Sequence, residues 1–269
     1  MNKYCFVALM IFVSLGNTLA LTAQYTDSTS KTGLIKNNPQ TPVVNWNDSL
    51  AQKRFPYKSF ILPATLVVYG VLCLNTDAFQ DVNETVKEEI YTKRQPAKSK
   101  LDNYLQYAPA VAVYGLNAVG IHGKNNFRDR TIIYAMSSLF VGITVNSVKK
   151  ITGEPRPDDS DNLSFPSGHT ATAFAAAAFM WQEYKDVSPL YGIAGYAAAV
   201  ATGYLRMSNN KHWMGDVVAG AGVGIMSTKL AYWIYPGIKR KFFRDKEVNT
   251  LVMPVYQNGS FGLGMVYHL

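Results

Sequence analysis

The chain has 269 residues; 48% are hydrophobic and only 16% charged, and 26 Lys and Arg against 18 Asp and Glu leave a formal net charge of +8. A soluble globular domain carries about 25% charged residues, so this composition excludes intrinsic disorder and points to a chain that shows little charged surface to water. Two cysteines, Cys5 and Cys73, exclude a disulfide scaffold and a thiolate metal centre, and four histidines leave little room for a His-rich one.

In chain order, Lys3, the apolar stretch Tyr4 to Leu15 and the small residues around Ala20 and Ala23 make 1–23 a secretory signal or, uncleaved, an anchor helix. Residues 24–58 are polar and read as an exposed linker. Apolar runs then recur near 59–76, 105–121, 131–148, 169–182, 189–205 and 213–235. Several are shorter than the ~20 residues that comfortably span a bilayer. They are, however, rich in small residues such as Ala171, Ala173 and Ala175 to Ala178, which let helices approach closely inside lipid. The expectation is an all-α transmembrane helical bundle of about six helices over 59–238, with a soluble Ala-rich bundle as the alternative. Between the first two runs, Asp77 to Tyr104 mixes acids and bases and reads as an amphipathic or surface helix. Gly220-Ala221-Gly222-Val223-Gly224 lacks the strand and spacing of a dinucleotide loop and reads as a close helix contact instead. Residues 239–269 form a basic segment followed by a C-terminal β-hairpin. Its strands run over Leu251 to Tyr256 and Phe261 to Leu269, joined by Gln257-Asn258-Gly259-Ser260.

The basic residues cluster beside apolar runs: Lys53, Arg54 and Lys58 before the first, Lys124, Arg128 and Arg130 ahead of the third, and Lys239, Arg240, Lys241, Arg244 and Lys246 after the last. This is the distribution of a membrane protein with positive cytoplasmic loops, which would leave the polar motifs below on the periplasmic side. A cleaved signal followed by six full spans would reverse that sidedness, so the two indications conflict. No basic stripe with interleaved aromatics is present, which argues against a nucleic-acid partner.

Three segments place strongly polar groups at the ends of apolar runs. The first runs from Lys149 to Arg156-Pro157, the second is Pro166-Ser167-Gly168-His169, and the third holds Arg206, His212 and Asp216. Lys149, Arg156 and Arg206 are three cations able to neutralise a phosphate and the extra charge of its transition state. Arg forks two hydrogen bonds onto phosphate oxygens, whereas Lys acts as a point charge. Pro-Ser-Gly-His opens an Ala-rich helix, whose free N–H groups favour an anion. Gly168 lets the backbone come close, and the Ser167 hydroxyl can donate a further bond. His169 stands where a leaving oxygen could take its proton. His212 and Asp216, four apart, share a helix face, so the carboxylate can fix one imidazole nitrogen and free the other to attack.

Lys149-x6-Arg156-Pro157, Pro166-Ser167-Gly168-His169 and Arg206-x5-His212-x3-Asp216 together resemble the three-part signature of the type 2 phosphatidic acid phosphatase superfamily, in its bacterial membrane lipid phosphatase branch. The resemblance covers roughly 59–238. It implies His212 as the nucleophile forming a phosphohistidine, Asp216 as its orienting group and His169 as the acid. It also implies Lys149, Arg156, Arg206, Ser167 and Gly168 as the phosphate-binding set, and no metal or other cofactor. The family usually carries Ser where this chain has Leu205, which implies altered packing rather than lost activity. The substrates implied are membrane lipid phosphates or diphosphates, with lipid A phosphate and undecaprenyl diphosphate favoured over phosphatidic acid and phosphatidylglycerophosphate. The place implied is a bacterial cell envelope, at the inner membrane with the site facing the periplasm. A vanadium-dependent haloperoxidase and a non-enzymatic lipid-binding membrane protein stay open as rivals, and oligomeric state is not legible.

Overall fold

The structure, a computed structural model, describes residues 55–242 in full and the backbone of 250–257 and 260–267. The signal-or-anchor segment 1–23, most of the 24–58 linker and the basic residues Arg244 and Lys246 lie outside the described residues. Among the described residues there are eight α-helices: α1 Tyr57–Asn75, α2 Asp77–Lys87, α3 Asp102–Leu105, α4 Ala108–Ala118, α5 Phe127–Thr152, α6 Gly168–Tyr184, α7 Pro189–Ser208 and α8 Met214–Phe242. The expected count of about six is therefore too low. Helices α2 and α3 are the additional ones, and they come from the charged stretch, which the sequence marks as an amphipathic or surface helix outside the six apolar runs. Helix α2 widens at its end into a π-helical turn, Glu88–Thr92.

Local signals explain the helix ends that matter to the site. Asn126 caps α5 by accepting the Asp129 N–H at 2.8 Å, and Gly153, at φ 59°, ends α5 in the left-handed conformation that glycine adopts without strain. Ser167 caps α6, and Ser188 caps α7.

Helix α6 is the centre of the bundle, with α4, α5, α7 and α8 packed around it. Its alanines, Ala171, Ala173 and Ala175 to Ala178, are buried. The glycines of α8 let the backbones meet. A Cβ on Gly220 would lie 2.6 Å from the Ser167 carbonyl oxygen, and one on Gly224 would collide with the Ala171 carbonyl. On the opposite face of α8, Gly222 accommodates the Pro63 carbonyl of α1. The glycine-rich run is thus a two-sided helix contact, and one of its sides sets the position of the Pro-Ser-Gly-His segment.

Helices α1, α5 and α8 are long and apolar enough to cross a membrane. Large side chains on the outer faces, among them Leu62, Val111, Leu139, Ile143, Ile193 and Val200, are exposed. An outer surface of this kind suits lipid, not water, and the chain reads as a membrane protein.

At the end of the bundle away from the three motifs, buried acids tie the helices together. Asp129 accepts Tyr235 Oη at 2.8 Å and Lys239 Nζ at 2.7 Å, and Glu183 accepts Tyr232 Oη at 2.5 Å and Asn125 Nδ2 at 2.6 Å. In the tail, Thr250–Gln257 and Ser260–Tyr267 are antiparallel strands, β1 and β2, in the register Thr250 to Tyr267 through Gln257 to Ser260.

Candidate active site

The three motifs meet at one end of the bundle, where α5 and α7 end and α6 and α8 begin. The third motif supplies the most enclosed imidazole. His212 follows the C-terminus of α7 and is 4% exposed. Its Nδ1 lies 3.3 Å from Asp216 Oδ2. Asp216 occupies the first turn of α8 and also accepts the Trp213 backbone N–H at 2.9 Å, the reach-back of a helix cap. With Nδ1 committed to the carboxylate, Nε2 is the nitrogen left over.

Asp216 has a further partner that the sequence reading missed. Ser164, fully buried, donates its hydroxyl to Asp216 Oδ2 at 2.5 Å and stands 3.4 Å from His212 Nδ1. Its position, two residues before Pro166, was the only signal available.

The cations surround this pair. Lys149, on the last turns of α5, donates to the carbonyls of Leu163 and Ser164. Arg156 donates Nε to Asp161 Oδ1 at 2.7 Å, and its backbone closes the turn by bonding the Asp161 carbonyl at 3.0 Å. Arg206, at the end of α7, is 9% exposed and donates to Asp102 Oδ2 of α3 at 2.6 Å. Its buried Nε–H has no hydrogen-bond partner among the described residues. A buried, unpaired guanidinium N–H is costly unless a ligand oxygen takes it up.

The charges of these groups bear on one ring. Burial first, then the charges of Arg206, Lys149, Arg156 and His169, hold His212 well below the ordinary imidazole range. All four groups therefore act on the same ring, which stays neutral at neutral pH. Glu154, between the first two cations, is pushed up to about 7 by burial and by the neighbouring Asp216. Asp158 is held at about 2: burial opposes its charge, but Lys211 and Ser160 outweigh that cost.

Gly168 and His169 are the first two residues of α6, where backbone N–H groups have no partner within the helix. The His169 Nε2–H donates to Asn103 Oδ1 of α3 at 2.8 Å. Ser167 serves as the helix cap. Its hydroxyl is fully buried and taken up by Thr170, 2.9 Å from Thr170 Oγ1 and accepting the Thr170 N–H, so it caps α6. Lys149, Arg156, His169, Arg206, His212 and Asp216 are brought together.

Helix α2 braces the site from outside the motifs. Asn83 accepts the Gly215 N–H at 2.9 Å, and Lys87 donates to the Pro157 carbonyl at 2.9 Å while lying 5.0 Å over the Trp213 ring. The stretch from Asp77 to Tyr104 is thus part of the site's frame as well as a connector.

Residues 130–240 match the PAP2 superfamily. A lipid A 1-phosphatase of Porphyromonas gingivalis is 38% identical over 170 residues, covering 63% of this chain and 37% of that protein. The chain thus spans little more than a third of that relative's length. The bacitracin transport permease protein BcrC of Bacillus licheniformis is 27% identical over 182 residues, covering 61% of this chain and 81% of that one. A transmembrane PAP2-type phosphatidylglycerolphosphate phosphatase from Bacillus subtilis superposes with a TM-score of 0.47 at 21% identity, over 69% of this chain and 99% of that one. The matched residues 130–240 hold all three polar segments.

Proposed function

We propose that the protein is a phosphatase that removes phosphate from a membrane lipid phosphate or diphosphate by way of a phosphohistidine. The observation that carries this reading is the buried His212, tied through Nδ1 to Asp216 and ringed by Lys149, Arg156, Arg206 and His169. Lys149, Arg156 and Arg206 hold the phosphoryl oxygens, and the unpaired Arg206 Nε–H is a donor ready for one of them. The amides that open α6 add their N–H groups. The neutral His212 Nε2 attacks phosphorus while the bond to the leaving oxygen breaks. That oxygen keeps the bonding electrons and takes a proton from His169. Asp216 supports the positive charge that grows on His212. Water then attacks the phosphohistidine, gives its proton to His169, and releases phosphate with His212 restored. No step calls on a metal.

The apolar outer faces and the site at the helix ends support a substrate whose tail stays in the bilayer while its headgroup enters the cationic pocket. Among such substrates, a lipid A phosphate is favoured by the relative named a lipid A 1-phosphatase. Undecaprenyl diphosphate is the second candidate. The site-bearing end faces the periplasm of a bacterial inner membrane, because the basic residues Lys124, Arg128, Lys239 and Arg240 gather at the other end of α5 and α8.

Phosphate release by the purified protein over lipid A, undecaprenyl diphosphate and phosphatidate tests the reading. Turnover of at least one, abolished in His212→Ala with the fold retained, is expected. Turnover that survives His212→Ala removes the histidine from its role. Bromide oxidation in the presence of vanadate and peroxide, without phosphate release from any lipid, overturns the phosphatase reading in favour of a haloperoxidase.

A further inference from the structure

The short helix α3 belongs to none of the three motifs, yet two adjacent side chains on it hold two different motif residues. Asp102, 1% exposed, receives Arg206 Nη1 at 2.6 Å. Asn103 receives the His169 Nε2–H at 2.8 Å. The helix is itself fixed from α7: Asn209 exchanges hydrogen bonds with the backbone of Ser99, donating Nδ2 to its carbonyl at 2.8 Å and accepting its N–H at 2.9 Å. A clamp of this kind, anchored at one end and gripping two site residues at the other, fixes their orientation.

We propose that Asn103 is a positioning residue for proton delivery: it accepts the Nε2–H of the His169 imidazolium and so fixes the ring, leaving the second proton, on Nδ1, as the one passed to the leaving oxygen, after which the neutral ring keeps its hydrogen on Nε2. An amide oxygen can only accept, so the tautomer it selects carries hydrogen on the nitrogen it faces. The proposal rests on the phosphatase reading, in which His169 is the acid, and assigns the leaving-group side of the pocket to α3. Asp102 performs the parallel task for Arg206 and thereby ties the acid to the phosphate clamp through one helix.

The chemistry provides a test that a purely structural role would not satisfy. An alkoxide or sugar leaving group needs a proton in the transition state, whereas p-nitrophenolate leaves without one. Asn103 is exposed, so its replacement leaves the packing intact. Kinetics of Asn103→Ala are compared on a lipid monophosphate and on p-nitrophenyl phosphate in the same detergent; a prenyl diphosphate replaces the latter if the wild type does not accept it. The expected result is a kcat about tenfold or more lower on the lipid monophosphate and within about twofold of wild type on the comparator. Asn103→Asp, which keeps an acceptor at Oδ1, should recover most of the loss. Equal losses on both substrates, or none, overturn the proposal while leaving the phosphatase reading standing. A wild type that releases phosphate from neither overturns both.

Discussion

Ser164 bonds the carboxylate that faces His212. It lies at hydrogen-bond distance from Asp216 and just beyond from His212, with no water access, so its removal leaves a carboxylate oxygen short of a donor in a low-dielectric site. Ser164→Ala should lower kcat by about tenfold, equivalent to about 1.4 kcal/mol of transition-state stabilisation, with KM within about twofold, because the hydroxyl touches the nucleophile's support, while the contact with Lys149 of the phosphate clamp is made by the backbone carbonyl that alanine keeps. Steady-state phosphate release checks this, and an unchanged kcat would show that Asp216 needs no help from it. Glu154 bears on pH dependence. Its carboxyl ionises near pH 7 in the folded protein, above its ordinary value, because burial and Asp216 disfavour the charge. The folded state therefore binds the extra proton, and the stability that goes with it is full below the unfolded value and lost as pH rises through about 7. The same ionisation adds a negative charge beside the phosphate clamp. Glu154→Gln should match wild type at low pH, melt at a higher temperature than wild type above pH 7, and lack the rise in KM expected of wild type there. A KM profile that the substitution leaves unchanged would separate Glu154 from phosphate binding.

At the scale of the helices, the site is positioned by how closely α8 approaches α6. Gly220 meets the carbonyl of the residue that caps α6, so a larger side chain there must push the Pro-Ser-Gly-His turn away from His212. Gly220→Val should lower the melting temperature and abolish phosphate release together. Gly142, in the middle of α5 with open space where a Cβ would stand, is the contrasting position. Gly142→Ala should raise stability by roughly 0.5–1 kcal/mol and leave turnover unchanged. Thermal melts in detergent and phosphate assays on the two variants check both. These contacts also explain what could be read in advance. The spacing of Lys149, Arg156, His169, Arg206, His212 and Asp216 was legible because each motif is local, set by a helix end or a helical turn. The apolar runs were legible for the same reason, as were the alanine and glycine faces. Asp102, Asn103 and Ser164 were not, because their partners lie 104, 66 and 52 residues away and only the packing of the bundle brings them together. Ser167 illustrates an ambiguity that sequence leaves open: a serine before a helix can cap it or face a ligand, and in the structure its buried hydroxyl caps α6.

Taken whole, the molecule is polarised along its long axis. Helix α5 has 26 residues, about 39 Å at ~1.5 Å per residue, and carries Arg128 and Arg130 near its start and Lys149 near its end. Helix α8 runs the opposite way, from Asp216 to Lys239, and the bond between Lys239 and Asp129 at 2.7 Å fixes the two far ends together. The cations of the three motifs and those at the far ends of α5 and α8 are therefore separated by the thickness of the bundle. In the proposed function the first group encloses the phosphate, and the second lies where anionic headgroups and the positive-inside bias would act. Asp159, exposed in the loop between α5 and α6, marks the site end, and Asp186, exposed after α6, marks the other. In a background with Cys5 and Cys73 replaced by serine, Asp159→Cys should react in intact cells with a thiol reagent that crosses the outer but not the inner membrane. Asp186→Cys should react only after the inner membrane is opened. The reverse pattern would turn the site toward the cytoplasm, and a lipid phosphate would then have to be met on the inner leaflet.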